Sequence, residues 1–218
     1  MTDNQGDTVY VWDPFVRIAH WSVAAGFAIA FLTEDDTLTL HVWAGYLVGI
    51  LVAGRVLWGL IGPRYARFSD FVYRPRTVVR YIVDLLLFRA ERHIGHSPAG
   101  GAMVVALLLG LAATVGTGLV DYAITEKAGP LAGVVAGSHI NHSGEGLSLL
   151  NAAKADEDRG DKGRKGEKRK TSAWRGIHEI FANLTMALVI AHIGGVLLAS
   201  VVHRENLVRA MIAGRKRR

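Results

Sequence analysis

Four of the nine histidines in this 218-residue chain lie within or at the ends of its long apolar stretches: His20, His41, His178 and His192. An imidazole at membrane depth is expensive to keep, so such a residue counts as a functional site by default. It can ligate a metal, relay a proton or hydrogen-bond a ligand. A single buried histidine is more often just bonded to a carbonyl, so the placement of all four carries the weight. His178 and His192 stand 14 residues apart, nearly four helical turns. They therefore share one helix face, about 21 Å apart along the axis.

The elements that must position them are membrane helices. Ala99 to Val120 and Ile180 to His203 contain no charged residue, and about 20 apolar residues cross about 30 Å of hydrocarbon. Asp13-Pro14 reads as an N-cap followed by a proline at the first helical position. Gly62-Pro63 closes a second span, and Ser97-Pro98 opens a third. The pattern predicts an all-α integral membrane four-helix bundle in a single domain covering 1–218, with spans about 14–33, 40–61, 98–120 and 176–202. Residues 75–92 are amphipathic. Val78, Val79, Ile82, Leu85 and Leu86 lie on one face and Arg76, Arg80, Arg89 and Arg92 elsewhere, which predicts a cytoplasmic interfacial helix. Residues 129–172 are rich in glycine and serine and then in charges of both signs, which predicts a long, mobile outer loop.

Composition narrows the class. Half of the residues are hydrophobic and the mean hydropathy is +0.25. There is no cysteine, which excludes disulfides, thiolate metal sites and thiol catalysis. The acidic, polar start lacks a basic n-region, so no signal cleavage is expected. The net charge of +6 fits arginine-rich helix ends facing anionic lipid better than nucleic acid. Seven arginines separate the second and third spans, six basic residues follow His203, and the first outer loop has none. The second outer loop carries ten, but loops that long cross largely regardless of charge. Both termini are therefore expected in the cytoplasm, with the chain in a bacterial inner membrane.

Helix direction then supplies the histidine partners. The first helix enters from the inside, which sets His20 in its inner half, level with His192. The second enters from the outside, which sets His41 at its outer end, level with His178. Two imidazole pairs at two depths match two haems, each held on both faces of its ring by bundle-core side chains. Gly45 lies one turn after His41, and Gly194 and Gly195 follow His192; small residues there leave room for a porphyrin or for helix contact. Arg55 follows His41 by 14 residues on the same face. An intramembrane arginine needs a negative partner, which inner-haem propionates would supply, unless it snorkels to the surface.

The run Arg17-x-x-His20-Trp21, then His41-Val42-x-x-Gly45 with Arg55, then His178-Glu179 with His192, resembles the bacterial cytochrome b561 and nickel–iron hydrogenase cytochrome b family. The closing stretch from His203 to Arg209 is similar to the same group. The resemblance covers nearly the whole chain except 122–173. It implies a dihaem membrane cytochrome holding two haem b groups non-covalently through His20, His41, His178 and His192, with Arg17 and Gly45 among the cofactor-binding positions. It further implies electron transfer in a respiratory chain between quinone or quinol and a redox partner protein, either a soluble or periplasmic cytochrome or a hydrogenase-like subunit. Homo-oligomerisation is allowed. The long loop before the fourth span departs from the family pattern.

His96 sits just inside the third span, where it suits hydrogen bonding to a quinone or capping of a helix. His139 and His142 lie three apart in the loop without a third ligand, which reads as solvated rather than metal-binding. No nucleophile elbow, phosphate-binding glycine loop or catalytic carboxylate pair occurs. Three rivals to an electron carrier stay open. They are a haem-containing oxidoreductase acting on superoxide or quinone, an ion transporter with histidine sites, and a membrane anchor for a soluble redox subunit.

Overall fold

The computed structural model describes residues 8–33, 37–135 and 156–217, with side chains outside 156–172 and 217. Among the described residues, the regular structure is helical apart from one small ribbon. Helix α1 spans Pro14–Leu32, α2 Leu38–Ile61, α3 Phe68–Phe71, α4 Pro75–Leu86, α5 Pro98–Thr125, α6 Asp156–Val202 and α7 Leu207–Ala213. Strands β1 (Thr8–Tyr10) and β2 (Arg215–Arg217) pair antiparallel, with Val9 opposite Lys216.

Four helices are long and apolar enough to cross a membrane: α1, α2, α5 and the Ala173–Val202 part of α6. Their large apolar side chains are largely exposed, among them Leu32, Trp43, Ile50, Leu57, Ile180 and Ile190. A water-facing protein rarely leaves so much apolar surface uncovered, whereas hydrocarbon solvates it. Helix α5 continues beyond 120 to Thr125.

The expected loop over 129–172 is corrected in its second half, where 156–172 is helical and continuous with the fourth span. Lysine, arginine and glutamate there are good helix formers. Extending an existing helix needs no new nucleus, which offsets the glycines. His139 and His142 lie outside the described residues.

The contacts divide into two compact units, Met1–Ala112 with Leu184–Arg218, and Ala113–Asn183. In the first, α1 and α2 pack as an antiparallel hairpin. Phe15 meets Trp58 at one end, ring centres 4.9 Å apart, and Ala30 meets His41 at the other. The cap of α1 also ties the hairpin. Asp13 accepts the Val16 N–H at 3.0 Å through Oδ1 and the Trp58 indole N–H at 3.3 Å through Oδ2. One of the orphan donors at the start of α1 is thereby satisfied.

The end of this unit that carries both chain termini is more tightly built than the spans. Phe71 is 1 % exposed and lies against Gly101 of α5, while Phe68 lies against Gly59 of α2. Tyr81 and Leu85 bury one edge of α4, while Val79, Ile82 and Leu86 remain exposed beside Arg76 and Arg80. Trp12 and Val11 donate to the Gly214 carbonyl at 3.1 and 2.9 Å. Gly214 has φ +80°, left-handed backbone that a side chain would strain, and it turns α7 into β2.

Candidate functional site

His20 on α1 and His192 on α6 face each other in the first unit. Their ring centres are 6.2 Å apart and the rings are inclined at 60°. That is too far for a hydrogen bond between them. It is near the separation that two metal–imidazole bonds of about 2 Å each produce across one ion. Among the described residues, the buried Nδ1 of His20 has no hydrogen-bond partner.

Three more buried nitrogens in this unit lack partners among the described residues: Arg17 Nε, Arg55 Nη1 and His96 Nδ1. Arg17 stands one turn before His20 on the same helix face. The Arg55 guanidinium lies 5.5 Å from the Phe68 ring centre and 5.8 Å from that of Phe71. His96 packs on the other partners of that cluster, 4.3 Å from Phe71 and 4.6 Å from Trp12, ring centre to ring centre. Burial, then Arg55 and Lys216, push the His96 imidazole down to about 3, so it is neutral at physiological pH. Buried donors without acceptors are rare and costly. Two arginines and a histidine in that state suit a ligand bearing carboxylates or carbonyl oxygens.

His41, at the far end of the α1–α2 hairpin, donates its Nδ1–H to the Ala30 carbonyl at 2.8 Å. In the second unit, His178 donates Nδ1–H to the Thr114 carbonyl at 2.9 Å, with the Thr117 hydroxyl at 3.3 Å. Either bond fixes the tautomer whose lone pair is on Nε2, which is the usual way a ligating histidine is oriented. Thr117 itself donates to the Ala113 carbonyl at 2.7 Å, so it stays within its own helix turn. Gly118 leaves space for the His178 ring, since a Cβ there would stand 2.9 Å from Cε1.

The sequence-predicted residues thus divide. His20, His192, Arg17, Arg55 and His96 belong to the first unit, as do His41 and Gly45, while His178 belongs to the second. A Cβ on Gly45, Gly194 or Gly195 would meet nothing within 4 Å. Sequence reasoning missed Thr114, Thr117 and Gly118; a hydroxyl and a glycine along an otherwise apolar span were the available signal. Among the described residues no group of three His, Cys, Asp or Glu side chains gathers as a bare-ion site. A haem asks for less, because the porphyrin supplies four nitrogens and the protein only the axial pair. The His20–His192 pair and the unpartnered arginine nitrogens fit such a group.

A family model described as prokaryotic cytochrome b561 matches residues 11–214. No curated protein and no solved structure matches the chain.

Proposed function

Because the chain belongs to the prokaryotic cytochrome b561 family, it is a membrane haem b electron-transfer protein, and we propose that it carries electrons through two haems between quinone and a redox partner protein. The observation that carries this reading is the facing of His20 and His192 at 6.2 Å. These two would hold one haem, and His41 with His178 the other, by the depth assignment made from helix direction. Bound there, haem supplies one-electron cycling of iron between its ferric and ferrous states.

The chain's own residues do the rest. Arg17 and Arg55 would receive propionates and hold positive charge beside the first haem, which favours its reduced form. The Ala30 and Thr114 carbonyls hold His41 and His178 in the ligating tautomer. Neutral His96, with its unpartnered Nδ1, would hydrogen-bond a quinone oxygen at the same end. The apolar spans exclude water and so keep the charges strongly coupled.

The chain termini, His96 and the arginine-rich segments share the cytoplasmic side in this reading. The pairing of β1 with β2, which joins the two chain ends, supports a common side for both. The exposed apolar edge of α4, flanked by Arg76 and Arg80, would lie in the membrane interface. The test is a reduced-minus-oxidised spectrum with pyridine haemochrome quantification on gently purified protein. Two haem b per chain, reducible by quinol, is the expected result; one haem or none overturns it.

A further inference from the structure

Arg92, His93, His203, Glu205 and Lys216 converge on a cleft near the β1–β2 ribbon, with Tyr81 and Ser97 in its wall. Lys216 is the unusual member. It is only 8 % exposed. Pairing of β2 with β1 turns its side chain inward, where Nζ lies 5.9 Å from the Trp12 ring centre. Nζ donates to the His93 carbonyl at 3.3 Å and to the Gly95 carbonyl at 3.4 Å. Both contacts are long and both partners are neutral.

Glu205 compensates it only in part. Glu205 is engaged with Arg92, whose Nε and Nη2 approach it at 3.3 and 3.4 Å. Among the described residues no carboxylate forms an ion pair with Lys216. Burial lowers its proton affinity, Glu205 offsets part of that, and Arg92 adds to it. His203 donates to or accepts from the Tyr81 hydroxyl at 3.1 Å. Burial, Lys216 and Arg92 hold its imidazole down, with Glu205 opposing and His93 adding to the effect. The cleft therefore carries a largely dehydrated ammonium whose direct bonds go to two neutral carbonyls, with the cations Lys216 and Arg92 set against the one carboxylate of Glu205. An ammonium so placed is stabilised chiefly by an anion entering beside it.

Its depth indicates which anion. The α5 span begins at Pro98 and the α6 span ends at Val202. Gly95, Ser97 and His203 therefore lie at headgroup level. Leu207 and Ala199 add an apolar rim, and the exposed Val79, Ile82 and Leu86 of the neighbouring α4 would contact acyl chains. Basic clefts between helices at this level suit phosphate-bearing headgroups.

We propose that this cleft binds a phosphate group, supplied by the headgroup of an anionic lipid. The proposal is independent of the haem reading. The full chain is placed in nanodiscs of phosphatidylcholine with added phosphatidylglycerol, and retained lipids are counted by native mass spectrometry. Wild type is expected to keep one phosphatidylglycerol tightly. Lys216→Gln should hold it about tenfold more weakly, the loss of one charge-assisted hydrogen bond, and Lys216→Arg should retain it. A parallel arm measures protection of detergent-solubilised protein against heating by inorganic phosphate. Protection that depends on Lys216, without lipid retention, keeps the phosphate chemistry and overturns the lipid source. If wild type shows neither retention nor protection, the site does not exist, whatever the variants do.

Discussion

Gly118 on α5 faces the His178 ring so closely that a Cβ would stand 2.9 Å from Cε1 and 3.2 Å from Nδ1. The same ring edge bonds the Thr114 carbonyl at 2.9 Å. Position and orientation of this imidazole are therefore set by one helical turn of α5. Gly118→Leu should push the ring off that carbonyl and, on the proposed ligation, lose the haem assigned to His178. The expected spectrum retains about half of the b-type absorbance, with one axial pair intact. Full absorbance with both components unchanged would separate His178 from haem ligation.

The facing of His20 and His192 across 6.2 Å predicts that His20→Ala and His192→Ala delete the same spectral component. His41→Ala and His178→Ala should delete the other. Redox titration of the four variants reads the pairing directly. Loss of one shared component by His20→Ala and His41→Ala would refute the assignment by helix direction.

Much of this was legible because hydropathy and helical period are local properties. The 14-residue interval from His178 to His192 and the apolar runs around it required no tertiary knowledge. Thr114, Thr117 and Gly118 could not be read this way, since their role depends on the register of α5 against α6. The β1–β2 ribbon has no local signal either; Arg215–Arg217 becomes a strand only because Thr8–Tyr10 arrives beside it. Over 156–172 the glycines and mixed charges read as loop, and continuity with a membrane helix outweighed them.

Arg55 keeps a buried Nη1 without a partner among the described residues while its guanidinium lies over Phe68 and Phe71. A positive charge near haem propionates favours the reduced haem, which carries one positive charge fewer. Arg55→Leu should therefore lower the potential of the haem assigned in the proposal to His20 and His192, by about 60 mV for each tenfold change in its one-electron equilibrium, or release that haem. The other component should hold its potential. An unchanged titration would assign Arg55 to snorkelling at the membrane surface.

Acid sensitivity should trace to His96. Its folded-state pKa of about 3 lies below the ordinary 6.5, and burial is the main cause. The unfolded chain therefore binds the proton more readily. The neutral imidazole's contribution is complete above about pH 6.5 and is lost as pH falls towards 3, with a slope of at most about 1.4 kcal/mol per pH unit. Thermal unfolding between pH 7 and 4.5 should show a falling midpoint. His96→Gln should flatten that fall, even if it begins less stable. Equal slopes for both proteins would mean that the carboxylates govern acid unfolding.

Gly214 offers a test of the terminal ribbon that does not involve haem chemistry. Its φ of +80° is left-handed, and a Cβ there would meet the Trp12 carbonyl at 2.9 Å and Arg17 Nη1 at 3.0 Å. Its own carbonyl accepts from Val11 and Trp12, so strain at this residue reaches both chain ends. Gly214→Ala should cost about 1 kcal/mol or more from backbone strain and contact. Gly214→Val should cost more, because a β-branched side chain fits left-handed backbone worst. Limited proteolysis should then release the C-terminal residues before any span is cut, and Arg17 should lose the packing that orients it. If Gly214→Val resisted protease as the wild type does, the β1–β2 pairing would not be what holds Lys216 inward.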